Sequence, residues 1–387
     1  MLRPNARRAA GAAVTAATAL AVAAPAGAAA LEQVVPNTIR LLYQDGRYIE
    51  FGAAWTDPSQ SGDGVTIPPN PAGIPPGVYP GNTGDVFHSH WNWSGAYKAD
   101  LTDKLSYAVI FDQPLDADTR YGAGTFPFPI YQGSMADLKT YQVSGVVAYD
   151  VNTAVKLFGG LRAMRLDARA AVSFVDDYSV KAEDKWGYGY LLGAAYERPD
   201  IALRVALTYY SRISYDLATR EFTDTTGAVD TSTDVDAPQS VQLDFQTGVA
   251  PKTLVFGYVR WVDWSEFNIS PPLYEAATTV LLGQPRPLVD YADDWWTYNI
   301  GVGRQLTDAL AGSLSLTYEP DVGGTMTSLG PYDGRTTATA ALSYDVGKWN
   351  VTGGLTYGVL GDTHNLLQTD FNDGSVWGAG VRVGYTF

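Results

Sequence analysis

Cysteine is absent from this chain of 387 residues, and histidine is scarce, with three residues. Without cysteine there are no disulfides, thiolate metal ligands or thiol redox chemistry, which suits a chain that crosses an oxidising compartment unfolded. Positive charge is also low, because 26 basic residues face 41 acidic ones and give a formal net charge of −15. We therefore expect no nucleic-acid partner, since nucleic acid needs a basic surface.

Long apolar runs are lacking as well, apart from one at the N-terminus. Residues 1–28 have the pattern of a secretory signal peptide, with a basic start, an apolar core and small residues at the end: Arg3, Arg7, Arg8, then 9–24, then Ala26, Gly27 and Ala28. After residue 28 no apolar run reaches about 18 residues, so we expect no membrane-spanning helix. We predict an exported protein with a short segment at 29–46 ahead of the folded body at 47–387.

Aromatic residues and glycine are abundant, with 25 Tyr, 10 Trp and 40 Gly. From Trp377 to Phe387 every second residue is apolar or aromatic, while Gly, Arg and Thr fall between. Period two is typical of a strand with one apolar face, and a tilted strand crosses the hydrocarbon of a membrane in about 9–11 residues. A half-buried strand of a soluble sandwich shows the same pattern once, so repetition must decide between them.

The pattern repeats and predicts fourteen strands, at 47–57, 87–98, 104–113, 138–150, 154–168, 186–197, 201–213, 239–249, 253–264, 295–305, 309–319, 335–345, 349–360 and 375–387. Six short turns alternate with seven long links, which include the Pro-, Gly-, Asp- and Thr-rich segments 56–85 and 216–238. Bacterial outer-membrane barrels have an even strand number, short periplasmic turns and long extracellular loops. The sequence therefore predicts an all-β fold, a transmembrane antiparallel β-barrel of about 14 strands in the cell outer membrane.

Three segments resemble one known family: SGAYKADLTDKLSYAVIFDQP at 94–114, APQSVQLDFQTGVAPKTLVFGYVRWVDWSEF at 237–267 and DDWWTYNIGVGRQLTDALAGSLSLTYEP at 293–320. They are similar to the FadL-type outer-membrane transporters of long-chain fatty acids and other hydrophobic compounds. The resemblance implies a fourteen-stranded barrel closed by an N-terminal hatch, and passive uptake of long-chain fatty acids or other small hydrophobic molecules. It makes 29–46 a hatch or plug segment, which is shorter than the usual hatch of the family.

The resemblance also implies a sideways exit into lipid, because an inward kink of the third strand opens the barrel wall in this family. Asp112, Gln113 and Pro114 lie at the end of the predicted third strand. Proline cannot donate a ladder hydrogen bond and is confined to edges, ends or bulges of a sheet. Pro114 therefore marks either a lateral-opening kink or simply the end of the strand.

The predicted ninth strand has no clean polar face, so it brings apolar side chains to the lumen whichever of its faces contacts lipid. Burying an acyl chain there yields roughly 0.8 kcal/mol per CH₂. The register implied by the resemblance points Phe256, Tyr258 and Arg260 inward, as substrate-binding residues. Arg260 then either meets a ligand carboxylate or pairs with an interior acid such as Asp112 or Asp263.

The link after the third strand contains a second candidate binding surface. Its residues Phe126, Phe128, Ile130 and Tyr131 are too apolar for a bare solvent-exposed loop. Exposed apolar patches often mark binding surfaces. We interpret them either as the outer capture site for a hydrophobic ligand or as packing over the barrel mouth.

Catalytic and metal chemistry finds little support. His88 and His90 share a strand face, but no third metal ligand is identifiable, and Ser89 points the other way. We therefore predict no enzyme activity, no metal and no cofactor. The alternatives on the same scaffold are a general diffusion porin or a loop-based adhesin, since a fold does not fix a function. As partners we expect a hydrophobic small molecule, outer-membrane lipid and lipopolysaccharide, with the barrel a monomer.

Overall fold

Fourteen antiparallel strands form a closed barrel in the computed structural model, which describes residues 31–69 and 75–387. Each strand pairs with the next along the chain, and the last pairs with the first. In chain order they are β1 Tyr48–Ile67, β2 His90–Asp100, β3 Leu105–Asp112, β4 Met135–Asp150, β5 Val155–Val172, β6 Lys185–Arg198, β7 Leu203–Tyr210, β8 Ser240–Ala250, β9 Thr253–Val262, β10 Trp295–Gln305, β11 Leu310–Glu319, β12 Arg335–Val346, β13 Trp349–Leu360 and β14 Asp370–Thr386. The predicted signal peptide at 1–28 lies outside the described residues.

The closure seam runs between β14 and β1, from Tyr48 opposite Thr386 to Asp63 opposite Asp370. A sheet edge left open in hydrocarbon would carry unpaired N–H and C=O groups that cost several kcal/mol each, so closure is a physical requirement for a spanning sheet. All fourteen predicted strands overlap the barrel strands, and the alternation of short turns and long links is confirmed. The predicted fold class is therefore confirmed.

The two faces of the barrel differ in polarity, as the period-two pattern requires. The outward face carries large exposed apolar side chains, among them Leu161, Leu192, Ile300, Val302, Leu314, Leu342 and Leu355. The inward face carries buried hydrogen-bonded ion pairs, such as Glu319 with Arg335 at 2.9 Å and Glu197 with Arg204 at 3.0 Å. A lipid-facing apolar exterior around a polar interior is the arrangement of outer-membrane barrels.

Helices are few and short in the described part of the chain. Helix α1, Thr38–Leu42, has every residue buried inside the barrel, and helix α2, Pro272–Leu282, lies in the link between β9 and β10. A proline at the first turn of α2 and the left-handed Gly283 after it are favourable helix ends. Among the described residues no helix is long and apolar enough to cross a membrane.

Nine further strands lie in the long links of the described ranges: Gly77–Asp85, Asp116–Arg120, Tyr178–Ala182, Ile213–Thr223, Gly227–Ala237, Asn268–Ile269, Val289–Asp290, Thr325–Met326 and Thr363–Asn365. The 216–238 segment, predicted as a long link between barrel strands, is largely a hairpin. Its alternate residues Ile213, Tyr215 and Leu217 are buried, whereas the intervening side chains are exposed. The sequence did not predict these two strands, because polar and turn-forming residues outweigh this short alternation in composition.

The first strand extends beyond its predicted end at residue 57, because β1 continues through the first part of the 56–85 link as far as Ile67. Above Thr56, β1 loses β2 as a partner, and from Ser61 it pairs with Gly77–Asp85 instead. Pro58 lies between these two partners, where β1 is paired with β14 alone. A residue without an N–H is tolerated at such a position because fewer ladder hydrogen bonds are needed there.

Candidate functional site

The N-terminal segment 31–46 lies inside the barrel. Leu41 and Leu42 of α1 are almost fully buried in an apolar cluster with Ala148 of β4 and Phe158 of β5. Lys98 of β2 donates its ammonium to a backbone carbonyl of the segment, which further ties the segment to the wall. This part of the lumen is therefore filled by side chains that the chain itself supplies.

Arg260 of β9 points into the lumen and is 3% exposed. Its Nε donates to a carboxylate oxygen of Glu32 at 2.9 Å, and its Nη2 donates to the other oxygen. Neither Asp112 nor Asp263, the acids suggested from the sequence, forms an ion pair with Arg260, so that suggestion is corrected. Arg260 is therefore paired with an interior acid, Glu32, which is the second of the two alternatives that the sequence left open.

Phe256 and Tyr258 share the inward face of β9 with Arg260, as the register implied. The Phe256 ring packs over Gly301 of β10, where an added Cβ would lie 2.5 Å from the ring. Glycine at 301 thus makes room for an aromatic side chain inside the barrel. Both rings lie within the barrel interior and contribute apolar surface next to the Arg260–Glu32 ion pair.

A gap interrupts the barrel wall between β2 and β3. Their pairing runs from Asp100 opposite Ser106 only as far as Gly95 opposite Phe111. Above that level β2 continues to His90 with β1 as its partner, while β3 ends at Asp112. Residues 90–94 consequently have no strand partner on the β3 side.

The predicted kink residues lie at this gap. Pairing with β4 places Asp112 opposite Gln142 but Asp116 opposite Lys139, so the 113–115 segment holds one more residue than the facing stretch of β4. This extra residue is a bulge, and a bulge bends its strand. The side-chain carbonyl of Gln113 accepts the backbone N–H of Trp93 at 2.7 Å, and this hydrogen bond links the bulge to β2 across the gap.

The N-terminal segment takes the place of β2 beside the bulge. The Gln33 amide donates to the Pro114 carbonyl at 2.8 Å, and the Asp116 amide donates to the Leu31 carbonyl at 3.0 Å. Pro114 offers its backbone carbonyl as an acceptor here, and it has no backbone N–H that would need an acceptor. The backbone of 114–116 is thereby satisfied from inside the barrel, which permits it to leave the wall.

An apolar chamber lies deeper in the barrel, beside Leu31. It is lined mainly by aliphatic side chains from β4, β5 and the loops, among them Leu138, Leu166, Leu217, Val235, Leu288 and Leu329. Its charged lining consists of Asp137 and Arg169, which pair with each other at 2.8 Å. The chamber therefore presents hydrocarbon surface and no unpaired cation.

A larger groove of about 730 Å³ lies among the long links. Phe128 and Ile130 line it together with Leu281 and Leu282 of α2 and with Leu367. Three acids, Asp176, Asp177 and Asp224, lie at its border. The groove brings two of the four predicted capture residues to a surface that a hydrophobic molecule can reach.

The other two predicted capture residues lie beneath the groove. Tyr131 is 2% exposed, and its hydroxyl is hydrogen-bonded to Thr369 and Asn365. Burial raises the pKa of Tyr131 to about 12. Phe126 packs on its ring at 5.8 Å. Tyr131 and Phe126 therefore pack beneath the groove and support the loop, whereas Phe128 and Ile130 line it.

Metal ligands are not clustered in residues 31–69 and 75–387, where no group of three or more His, Cys, Asp or Glu side chains is placed to hold an ion. His90 instead lies beside the gap, with its Nε2 at 3.0 Å from the side-chain oxygen of Gln33.

A family model described as outer membrane protein transport protein (OMPP1/FadL/TodX) matches residues 4–357. The chain belongs to this FadL/TodX family. No curated protein matches it. Among solved structures, it resembles a Pseudomonas aeruginosa FadL homologue with a TM-score of 0.71 and 13% identity over 89% of this chain and 91% of that chain.

Two toluene transporters show the same barrel. The Pseudomonas putida transporter TodX matches with a TM-score of 0.63 and 11% identity over 95% of this chain and 98% of that one. The Ralstonia pickettii transporter TbuX matches with a TM-score of 0.58 and 12% identity over 89% and 90%. At these identities the structural likeness shows the fold, whereas the family model shows membership.

As a FadL/TodX family member, the protein is an outer-membrane β-barrel channel for hydrophobic compounds. The sequence reasoning missed Glu32, Gln33 and Asn92, which are central to the interior. Glu32 lies 228 residues from its partner Arg260 in the sequence. No local pattern could pair them.

Proposed function

We propose that this FadL/TodX family barrel is a passive conduit for small hydrophobic molecules, which are captured in the groove beside Phe128, cross the apolar chamber and leave sideways between β2 and β3. The observation that supports this route is the interrupted pairing above Gly95 and Phe111. The N-terminal segment packs its apolar side chains against the inner wall and so obstructs an axial path. A water-filled porin finds no support in such an interior.

The outer surface at the gap suits an exit into lipid. Trp91 and Trp93 of β2 are both more than half exposed, and their rings stack with centroids 5.9 Å apart. On the other side Phe111 stacks on Tyr141 at 6.4 Å. A hydrophobic molecule that passes between these rings stays out of the aqueous periplasm, and each CH₂ kept out of water is worth roughly 0.8 kcal/mol.

The chamber favours an uncharged ligand over a carboxylate. Arg169, which lines the chamber, pairs with Asp137, and Arg260 on the inward face of β9 pairs with Glu32. Burying a carboxylate without a free cation is costly. Long-chain fatty acids, implied by the sequence resemblance, therefore fit the chamber less well than neutral hydrophobes of the kind carried by the toluene transporters that share this fold.

Restoring a continuous third strand tests the route. Deleting Pro114 removes the one extra residue of the bulge and aligns Asp112 and Asp116 in a single register with β4. We expect cells that express this variant to take up radiolabelled toluene at least tenfold more slowly, while the purified barrel still binds it.

Deletion of Gln284, an exposed residue after α2, is the matched control and should leave uptake unchanged. Heat-modifiable migration on gels verifies that both variants form barrels. Unchanged uptake in a folded Pro114 deletion would refute lateral exit at this position.

A further inference from the structure

A cavity of about 120 Å³ lies immediately inside the wall gap. Its walls come from the N-terminal segment at Val34–Leu41 and from the inner faces of β1, β2, β3 and β14. Unlike the chamber, it is polar, because Asn92, Arg40, Glu50, Asp112 and Arg382 line it. A ligand that leaves through the gap passes this polar cavity.

Asn92 is the unusual residue of this cavity. Its side chain faces inward from β2 and is 4% exposed, yet neither its Nδ2 nor its Oδ1 has a hydrogen-bond partner among the described residues. Buried amides are nearly always hydrogen-bonded, because an unsatisfied group costs about 1–3 kcal/mol. Both a donor and an acceptor are thus presented together to the cavity.

The charged side chains that line the cavity are equal in number for each sign. Glu50 pairs with Arg40 and lies 3.7 Å from Arg382, and Asp112 supplies a second carboxylate. Two formal positive charges therefore meet two formal negative ones. A group that both donates and accepts a hydrogen bond, without charge of its own, complements such a site better than a carboxylate or an ammonium does.

We propose that this cavity is a binding site for the hydroxyl group of a hydrophobic alcohol or phenol, held by the Asn92 amide as the molecule passes the gap. A hydroxyl accepts from Nδ2 and donates to Oδ1, so one group satisfies both orphan atoms. The proposal rests on the proposed function, since it assigns a ligand class to the exit of the same conduit. It adds a selectivity that the apolar chamber does not provide.

Water is the competing occupant, since the cavity has room for it and polar groups to bind it. A matched pair of ligands distinguishes water from a ligand hydroxyl group as the occupant of the cavity. p-Cresol and p-xylene have nearly the same shape but differ by a hydroxyl in place of a methyl group. Their affinities are measured by displacement of fluorescent 1-aminoanthracene from the barrel in lipid nanodiscs.

We expect Asn92→Leu to weaken p-cresol about tenfold, the factor that corresponds to one lost hydrogen-bonding pair, and to leave p-xylene unchanged. Asn299→Leu is the control, because this lumen-facing amide donates to Thr317 and the Leu316 carbonyl on the wall across β10 and β11. It should affect neither ligand. If Asn92→Leu does not fold, Asn92→Ala removes the same two atoms with less bulk.

The outcomes separate the two proposals. Equal responses of both ligands to the Asn92 substitution would show that water satisfies the amide and would overturn the hydroxyl site, while the conduit stands. If neither p-cresol nor p-xylene displaces the probe from the parent barrel, binding of small hydrophobes is refuted, and with it the proposed function.

Discussion

The ion pair between Arg260 and Glu32 decides whether the N-terminal segment stays in the lumen. Both side chains are almost completely buried, so each charge depends on the other for compensation. Breaking such a pair by removing one partner typically costs about 3–5 kcal/mol, because the remaining charge is left uncompensated. Arg260 also lies over the Tyr210 ring at 5.5 Å, which helps to fix its orientation.

Glu32→Ala should therefore release the segment. We expect backbone amides of residues 31–46 to exchange hydrogen at least tenfold faster than in the parent barrel, whereas the amides of β12 and β13 keep their protection. Hydrogen exchange followed by mass spectrometry measures both.

The double variant Glu32→Ala/Arg260→Met is the control, because it removes the uncompensated charge as well. It should recover most of the protection. Equal exchange in the single variant and the parent barrel would show that the apolar contacts of α1 suffice to hold the segment.

Single residues show where sequence reasoning stops. The inward direction of Arg260 followed from the register that the family resemblance implied, whereas the chemistry of Pro114 left a kink and a strand end both open. The partners did not follow, because Glu32 and Gln33 reach these residues only after the barrel has closed around the N-terminal segment. Contacts between residues this far apart in the sequence produce no recognisable spacing pattern.

At the scale of elements, helix α2 depends on one acid from a neighbouring hairpin. The carboxylate of Glu221, which is fully buried, accepts the backbone N–H groups of Leu273 and Tyr274 at the start of the helix and the hydroxyl of Tyr178. Carboxylates at helix N-termini satisfy free amides and complement the helix dipole. Because α2 carries two leucines of the groove, this contact also positions the proposed capture surface.

Glu221→Ala should loosen α2 and weaken the groove. We expect a loss of about 2–3 kcal/mol of local stability, from charge-assisted hydrogen bonds that are each worth about 1.5–3 kcal/mol. Accelerated exchange of the amides in Pro272–Leu282, together with weaker binding of a fluorescent hydrophobe, is the measurement. Glu221→Gln keeps an acceptor for the helix and should give a smaller effect; an equal effect of both variants would argue against the capping role.

Elements differ in how readily the sequence reveals them. Barrel strands were predictable because lipid outside and polar groups inside impose period two on every one of them. The hairpin of Ile213–Thr223 and Gly227–Ala237 was not, since it buries only one face against other loops. Helix α1 has five residues, too few to display a helical period.

The molecule as a whole combines a closed barrel wall, a filled lumen and one local interruption of strand pairing, between β2 and β3. The wall keeps backbone groups out of lipid everywhere except between β2 and β3, where Gln113 and the N-terminal segment supply partners instead. The filled lumen excludes a wide water path. We therefore propose that a hydrophobic ligand moves from groove to chamber to gap, and that one barrel suffices for this route as a monomer surrounded by lipid and lipopolysaccharide.

Photolabelling tests this central claim most directly. A benzene derivative that carries a photoreactive diazirine is added to cells that express the barrel, and the labelled peptides are identified by mass spectrometry. Lateral exit predicts adducts on residues 90–94 of β2 and on 112–117, which flank the gap. Adducts confined to lumen residues at the periplasmic end, such as Lys98 and Arg204, with none beside the gap, would contradict it.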